Sequence, residues 1–237
     1  MLFRLLERSR EVSPSNDVLV ISLGGGHGLE KRFIALNVEL IQCDLKSFSG
    51  YYKLCKAFIT LKAFSPTVIQ GWMYHGSFVA FLAAKIMRLD AQLYWAIRQT
   101  LYEINNERYL TRLVIKVLAM ASSKCDCIVY NSNISFSQHQ ELGFLATRHI
   151  FIPNGIDTKV FKPDETQKKA FRDKLGILSG QLLIGMVGRV HPMKDHETCL
   201  KAMALIAEAL PHARFVLVGK GTQNNYITGL LDDLGLI

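Results

Sequence analysis

Residues 181–195 read Gln-Leu-Leu-Ile-Gly-Met-Val-Gly-Arg-Val-His-Pro-Met-Lys-Asp. Their apolar run ends at Gly188, a pattern typical of a strand that is buried on both faces of a parallel sheet. Two cations, Arg189 and Lys194, follow the glycine. Asp195 comes next and is one of the residue types that cap helix N-termini. The stretch therefore predicts a strand, a short loop and a helix in succession.

The loop in this stretch has the composition of an anion-binding site. Backbone N–H groups and the positive end of the helix dipole favour a phosphate at a helix N-terminus. Arg189 and Lys194 flank that position and could neutralise a diphosphate. An ordinary strand-to-helix loop with two solvated cations explains the same residues, and the residues alone leave both interpretations open.

Length and composition indicate a globular protein of one or two domains. The chain has 237 residues, of which 49% are hydrophobic and 20% charged, so disorder is not expected. The 28 lysines and arginines exceed the 20 acidic residues, which gives a net charge of +8. This excess favours nucleotide phosphates, nucleic acid or another polyanion, or an anionic membrane face as partners, although a basic solvated surface explains it equally well. No nucleic-acid-binding module is recognisable, so no nucleic-acid partner is predicted.

The cysteines and histidines predict neither a disulfide framework nor a metal site. The five cysteines are an odd number and contain no Cys-x-x-Cys pair. Cys125 and Cys127 flank Asp126 at the start of an apolar run, and we expect them to be buried thiols. His191 and His196 lie on either side of a proline and do not share a helical face. We therefore expect no metal and no cofactor.

No segment has the pattern of a secretion signal or a membrane span. The N-terminal residues Met-Leu-Phe-Arg-Leu-Leu-Glu-Arg lack an uninterrupted apolar region, because Arg4 and Glu7 break it. The longest apolar stretches, Phe78 to Met87 and Leu113 to Ala121, contain lysines and are shorter than the ~18 residues of a spanning helix. The sequence predicts a cytoplasmic protein, with peripheral contact at the inner face of a membrane left open.

Strand-like and helix-like segments alternate along the chain, which predicts βαβ units and a doubly wound parallel α/β sheet. Turn signals in Pro-Asn-Gly-Ile-Asp, at 153–157, end the first sheet and predict domains at 1–153 and 154–237. The second domain has two predicted strands and three predicted helices. These cannot complete a doubly wound domain, because the faces and edges of so small a sheet would be bare. The predicted strands are 17–23, 38–43, 67–72, 92–97, 126–130, 149–152, 182–187 and 214–218. The predicted helices are 2–8, 29–37, 51–64, 76–88, 109–122, 135–142, 165–175, 197–210 and 225–234.

Two glycine loops follow predicted strands. Residues 24–28, Gly-Gly-Gly-His-Gly, do not fit the dinucleotide-binding fingerprint, because residue 29 is leucine. Residues 219–222, Gly-Lys-Gly-Thr, do not fit a P-loop, which would need glycine at position 214 where the chain has arginine. Either loop can instead line a cleft at the carboxyl ends of the strands.

Several motifs occur in one order along nearly the whole chain. In the second half they are 152–157 Ile-Pro-Asn-Gly-Ile-Asp, 161–163 Phe-Lys-Pro, 185–189 Gly-Met-Val-Gly-Arg, 193–195 Met-Lys-Asp and 215–219 Phe-Val-Leu-Val-Gly. Upstream they are 68–75 Val-Ile-Gln-Gly-Trp-Met-Tyr-His, 95–98 Trp-Ala-Ile-Arg and the helix at 131–139. In these motifs the chain resembles glycosyltransferase family 4, retaining sugar transferases of the GT-B fold, and in particular members that build bacterial surface polysaccharides.

The resemblance implies transfer of a sugar from a nucleoside-diphosphate donor to a glycan or glycolipid acceptor. Arg189 and Lys194 would bind the donor diphosphate, and Gly188 would let the backbone approach it. Gly219 and Gly221 would border the nucleotide pocket. This assignment agrees with the anion site that the residues themselves indicate.

In the N-terminal half, His75 and Arg98 are the residues that we nominate for catalysis. The family commonly has a histidine after its fifth strand, and this chain has Arg98 there, followed by Gln99. His75 follows the preceding strand, where a polar residue that merely closes the loop is an equal alternative. The resemblance implies no carboxylate nucleophile, so positioning and charge stabilisation would account for the rate.

Relative to the family, both ends of the chain look shortened. A Glu-x7-Glu segment that binds the donor sugar would fall after residue 237, and residues 1–10 resemble the end of the first helix of the family. The first strand of a doubly wound sheet is central, so we expect the strands at Asp17 and Thr67 to lack a shared neighbour. An inactive fragment that at most binds nucleotide is therefore an alternative to an active transferase. A nucleotide-sugar epimerase of the same fold is another.

Overall fold

The computed structural model describes residues 2–25, 28, 30–101 and 103–236. The chain forms two compact units, Met1–Gly155 and Ile156–Ile237, and the change from one to the other falls inside the turn-rich residues 153–157. Every strand pairing among the described residues is parallel. This confirms the predicted α/β architecture with parallel sheets.

The strands of the first unit lie in two separate sheets. One pairs β1 with β2, and the other has the order β3-β4-β5-β6. Among the described residues no strand lies between β1 and β3, which confirms that these two strands lack a shared neighbour. The elements are α1 Leu2–Val12, β1 Leu19–Ser22, α2 Glu30–Ala35, β2 Glu39–Gln42, α3 Phe48–Phe64, β3 Val68–Trp72, α4 Met73–Met87, β4 Gln92–Ile97, α5 Tyr109–Ala121, β5 Cys127–Tyr130, α6 Asn133–Glu141 and β6 His149–Phe151.

The core of the first unit lies around β4 and β5. Trp95 and Ile128, on these neighbouring strands, are completely buried, and α4 and α5 pack together over this region. Cys125 and Cys127 are buried free thiols, as expected. Burial raises the pKa of the Cys125 thiol to about 12, so this thiol stays protonated.

Several helices begin earlier than the sequence predicted, because a cap precedes the first apolar residue. The Ser47 hydroxyl accepts a hydrogen bond from the backbone N–H of Gly50, so α3 begins at Phe48. Ser132 caps α6 in the same way, and that helix begins at Asn133. Of the predicted glycine loop at 24–28 and the helix predicted from 29, residues Gly26, His27 and Leu29 lie outside the described residues.

Helix α4 follows β3 without an intervening loop. A Cβ on Gly71 would lie 2.3 Å from the Cα of Ser77, so the strand and the first turn of the helix are in backbone contact. Met73, the first residue of α4, has a φ of 59°, which is uncommon for a residue other than glycine. This tight turn brings the helix start to Met73, whereas the sequence predicted Gly76.

The second unit is small and has one two-stranded sheet. Its buried apolar core consists of Leu200, Met203 and Ile227, with partly buried neighbours around them. The prediction that this strand is buried on both faces was wrong: no residue of β7 is fully buried and Val187 keeps 82% of its surface exposed, because the two-stranded sheet has few covering elements. The elements are α7 Glu165–Lys174, β7 Leu183–Val187, α8 His196–Ala209, β8 Arg214–Val218 and α9 Asn225–Asp233.

Membrane-spanning helices and metal-binding clusters are both absent from the residues that the structure describes. None of the helices in this part of the chain has the length and apolar character needed to cross a membrane. Within the same residues, no cluster of three histidine, cysteine, aspartate or glutamate side chains is arranged to hold a metal ion.

Candidate functional site

Two loops lie side by side at the carboxyl edge of the β7–β8 sheet. The backbone N–H of Gly188 donates to the carbonyl oxygen of Val218 at 2.8 Å. Two residues later, the N–H of Val190 donates to the carbonyl oxygen of Lys220 at 2.9 Å. Because these bonds continue the pairing of β7 with β8, the sheet fixes the position of both loops.

Glycine is required where these two loops touch. A Cβ on Gly219 would lie 2.0 Å from the carbonyl oxygen of Gly188, a distance that no side chain tolerates. Gly221 has a φ of 89°, in the left-handed region that favours glycine, and a Cβ there would approach Val190 at 3.3 Å. The glycines that the resemblance assigned to donor binding therefore also have a structural role, because they allow the backbones of the two loops to come into contact.

The two cations of this edge are exposed and flank Gly188. A Cβ on Gly188 would lie 3.6 Å from Cγ of Lys194, so the lysine stem lies over the glycine. Arg189 is the next residue in the chain. Neither cation takes part in a salt bridge among the described residues. The uncompensated positive charge favours an anion at this edge.

A short turn connects these cations to α8. Pro192–Lys194 forms one turn of 3₁₀ helix, and Nδ1 of His191 accepts a hydrogen bond from the N–H of Met193 at 3.3 Å. Asp195 then takes the left-handed conformation and accepts a bond from the N–H of Thr198 at 3.2 Å. Asp195 is thus the N-cap, as predicted. The Asp195 carboxylate already accepts a hydrogen bond at this helix end. An anion would therefore bind the side chains of Arg189 and Lys194 in preference to the N–H groups of the helix.

The loop after β8 lines a recess of about 510 Å³. The recess is shallow and open to solvent. Its lining consists of glycines and residues with polar side chains. The lining residues are Gly219, Gly221, Thr222, Gln223 and Asn224.

The predicted residues of the first unit lie at the carboxyl ends of two paired strands. His75 is exposed in the first turn of α4, directly after β3, and Arg98 follows β4. Since β3 and β4 are parallel neighbours, both residues belong to the same edge of the sheet. No hydrogen bond joins them, and the structure therefore brings them to one edge without making them a pair.

Arg98 is held by contacts that sequence reasoning did not predict. Its guanidinium carbon lies 5.4 Å from the ring centroid of Trp72, within the range of a cation–π interaction. Its Nη2 donates to Oδ1 of Asn154, and its carbonyl oxygen accepts a bond from Nδ2 of Asn131 at 3.4 Å. Partial burial lowers the pKa of Arg98, but the group remains a cation because its ordinary value is so high. Oδ1 of Asn131 is buried without a partner among the described residues, so this edge retains a free acceptor.

A buried tyrosine–histidine pair lies under the same edge. The hydroxyl of Tyr74 is 2.7 Å from Nε2 of His139, and Nδ1 of His139 is 2.6 Å from the carbonyl oxygen of Ser135. A carbonyl can only accept, so Nδ1 carries the proton and Nε2 accepts from the tyrosine in the neutral imidazole. Burial lowers the pKa of His139 and favours this neutral form.

Comparison with protein families places a known domain in the second unit. Residues 167–237 match the family described as Glycosyl transferases group 1. A D-inositol 3-phosphate glycosyltransferase of Segniliparus rotundus is 34% identical over 71 residues, which are 30% of this chain and 15% of that protein. A GDP-mannose-dependent monoacylated alpha-(1-6)-phosphatidylinositol monomannoside mannosyltransferase of Corynebacterium glutamicum is 32% identical over 84 residues, or 35% of this chain and 22% of that protein. The matched parts therefore cover less than a quarter of either relative.

Solved structures resemble the chain over almost its entire length. HepE of Anabaena in complex with UDP has a TM-score of 0.74 at 17% identity and covers 98% of this chain, which spans 62% of HepE. A UDP-GlcNAc 2-epimerase of Neisseria meningitidis bound to UDP-GlcNAc has a lower TM-score of 0.56 at 13% identity, with 98% of this chain and 65% of the epimerase covered. The chain thus has the parallel α/β fold of GT-B glycosyltransferases such as HepE, and its residues 167–237 match a Glycosyl transferases group 1 domain.

Proposed function

We propose that this chain is part of a retaining glycosyltransferase of family 4. It would transfer a sugar from a nucleoside-diphosphate donor to a glycan or lipid-linked acceptor. The observation that carries the proposal is the carboxyl edge of β7 and β8. There, two unpaired cations flank a pair of touching glycine loops beside an open recess.

In this proposal the second unit binds the donor. Arg189 and Lys194 contact the diphosphate, and Gly188 leaves room for it. The recess at Gly219 and Gly221 takes the nucleoside end. When the bond between the sugar C1 and the diphosphate oxygen breaks, negative charge develops on the leaving phosphate. Fixed cations stabilise that charge, which lowers the barrier.

The first unit would supply the acceptor side, with His75 and Arg98 at its edge. The acceptor hydroxyl forms the new bond to C1 on the face from which the diphosphate leaves, and its proton passes to the leaving phosphate oxygen. This balance requires no protein nucleophile and no metal. Arg98 would orient the reactants by charge, since Trp72 and Asn154 fix its guanidinium.

We further propose that the acceptor is presented at an anionic membrane surface. On α5, Tyr109, Leu113 and Met120 recur at helical spacing, and each is at least half exposed. Lys116 lies on the same exposed stripe, and the chain as a whole carries a charge of +8. An exposed apolar and basic helix face suits the boundary between lipid headgroups and acyl chains.

Nucleotide binding tests the donor site directly. Calorimetric titration with UDP and GDP is expected to show saturable binding by the wild-type chain. Arg189→Ala and Lys194→Ala should each weaken it by roughly 1.5–3 kcal/mol, the loss of a hydrogen bond to a charged group. Lys168→Ala is the matched control, because this lysine pairs with Glu165 on α7 and is not part of the loops. Absence of binding, or equal loss in all three variants, would contradict the assignment.

Product analysis separates the alternatives. A transferase leaves the donor sugar unchanged until an acceptor is added, whereas an epimerase isomerises the donor without one. A chain that binds nucleotide but does neither would be a binding-competent fragment.

Vesicle flotation tests the membrane proposal. Flotation with phosphatidylglycerol vesicles should recover the wild-type chain but a smaller amount of the Leu113→Glu variant. Ile59→Glu, at an exposed aliphatic residue of α3, serves as the control.

A further inference from the structure

The segment from Arg98 to Leu101 follows β4 and is neither helix nor strand. Among the described residues, no backbone-to-backbone hydrogen bond involves this segment. Leu101 is buried, so the backbone there cannot rely on water for its partners. Because an unpaired backbone group is costly when buried, such a segment needs hydrogen bonds from side chains.

Side chains of α6 supply these hydrogen bonds. The hydroxyl of Ser135 donates to the carbonyl oxygen of Gln99 at 2.7 Å. Oε1 of Gln138 accepts from the backbone N–H of Leu101 at 2.8 Å. Two points of the segment are therefore bonded to one helix, through residues that lie three positions apart and share a helical face.

Helix α6 is itself fixed where it makes these bonds. The backbone N–H of Ser135 donates to the hydroxyl of Ser132, the N-cap, at 3.1 Å. Ser135 and His139 are both completely buried and lie one turn apart. The Ser135 hydroxyl thus acts from a packed position and not from a mobile surface.

The same face of α6 also holds the start of α4. Nε2 of His139 is 2.7 Å from the hydroxyl of Tyr74, which lies two residues after Trp72, the N-cap of α4. Gln99, the partner of Ser135, is the residue next to Arg98. Helix α6 therefore anchors the chain on both sides of the contact between Trp72 and Arg98.

This anchoring determines where the Arg98 guanidinium can lie. The guanidinium carbon is 5.4 Å from the ring centroid of Trp72, and Nη2 donates to Oδ1 of Asn154. Nδ2 of Asn131, just before α6, donates to the Arg98 carbonyl oxygen at 3.4 Å. A long side chain can keep such a position only if its backbone is held, because functional groups need support from the residues around them.

We propose that Ser135 and Gln138 are positioning residues for Arg98. They hold the backbone of residues 98–101, so that the guanidinium stays over Trp72 at the carboxyl edge of β3 and β4. The functional meaning of this role rests on the proposed transfer reaction, in which Arg98 orients the reactants. Neither positioning residue contacts the reactants itself.

The fluorescence of Trp72 reports the position of Arg98 without any substrate. Acrylamide, a neutral quencher, reaches the partly exposed Trp72 but not the completely buried Trp95. Ser135→Ala should raise the quenching of the folded chain to the level of Arg98→Gln, which lacks the guanidinium. Ser137→Ala is the matched control, because Ser137 is exposed on the same helix. Its quenching should equal that of the wild type.

Two substitutions of Gln138 separate the hydrogen bond from the packing. Gln138→Met removes the acceptor for the N–H of Leu101, whereas Gln138→Glu keeps an acceptor there. Quenching should therefore increase in the methionine variant and return to the wild-type level in the glutamate variant. Urea unfolding of each variant verifies that the quenching was measured on folded chains.

Turnover of the same variants connects the position of Arg98 with the reaction. The kcat of sugar transfer should fall by about 10–100-fold in Ser135→Ala, because a misplacement of about 1 Å can cost about 100-fold in rate. The affinity for UDP should not change, because the proposed donor site lies in the second unit. Ser137→Ala should change neither quantity.

Equal quenching in Ser135→Ala and Ser137→Ala would overturn the proposal, and so would equal quenching in the two Gln138 variants. An unchanged kcat in Ser135→Ala together with increased quenching would show that the position of Arg98 does not matter for transfer, which also overturns it. A wild-type chain that transfers no sugar, with quenching as expected, would contradict the proposed transferase function and leave the positioning of Arg98 supported.

Discussion

The backbone of Gly219 touches the backbone of Gly188, so closely that a methyl group on Gly219 would lie 2.0 Å from the Gly188 carbonyl oxygen. The contact joins the loops that follow β7 and β8. The strands before the two loops are paired in register, so the contact continues the sheet into the loops. The spacing of this edge is therefore set by backbone atoms and not by side chains.

Gly219→Ala should destabilise the second unit by roughly 1–3 kcal/mol, the usual cost of forcing extra atoms into a packed site. Urea unfolding followed by circular dichroism measures the change. Gly229→Ala is the matched control, because this glycine lies in α9 with nothing within 4 Å of an added Cβ. It should stabilise the unit by about 0.5–1 kcal/mol through helix propensity. Equal midpoints for the two variants would contradict the role of the contact.

Asp195 provides a second test, of the helix start beside the cations. Asp195→Ala should cost about 1 kcal/mol, because it removes the oxygen that accepts from the N–H of Thr198. Asp195→Asn should be nearly neutral, since asparagine caps helices equally well and tolerates the left-handed conformation found here. Thermal unfolding of both variants makes the comparison. If alanine and asparagine behaved alike, the cap would not contribute.

The buried imidazole of His139 predicts a pH dependence of the first unit. Its pKa is lower in the folded chain than its ordinary value of 6.5, so the unfolded chain binds more protons below that value. Stability should therefore be complete above about pH 6.5 and fall as the pH drops from there toward the lowered folded pKa. Urea midpoints between pH 5 and pH 8 show the slope. His139→Gln should reduce the slope but not remove it, because burial also lowers the pKa of His149. An unchanged slope would contradict the assignment.

Tyr74→Phe tests the partner of that imidazole. The variant removes the hydroxyl that lies 2.7 Å from Nε2 of His139 and leaves a buried acceptor unpaired. The expected loss is roughly 1–3 kcal/mol at pH 8, where the imidazole is neutral. Tyr109→Phe is the control, since that side chain is 71% exposed and its hydroxyl is free to bond with water. A loss of similar size in both variants would mean that the buried bond contributes nothing.

Apolar patterning was sufficient to predict the alternation of strands and helices. The strand at 182–187 is observed as Leu183–Val187, and the helix at 165–175 as Glu165–Lys174. The starts of α3 and α6 were placed too late, because the prediction followed apolar periodicity and did not use the capping signals of Ser47 and Ser132. Those two serines were readable from the sequence.

The contacts inside the sites were not predictable in the same way. Arg189 and Lys194 lie close to Gly188 in the sequence. Their location at the same edge of the sheet could therefore be predicted from the local sequence. Tyr74 and His139 are 65 residues apart, and Arg98 and Asn154 are 56 apart. Only the packing of the β3-β4-β5-β6 sheet and its helices brings such pairs together, and no local pattern encodes it.

The placement of the tryptophans has a spectroscopic consequence. The chain has two, Trp72 beside the guanidinium of Arg98 and Trp95 completely buried in β4, and both belong to the first unit. Intrinsic tryptophan emission therefore follows the melting of the first unit alone, while circular dichroism follows both units. A difference between the two signals during denaturation would show directly that the two units unfold at different points.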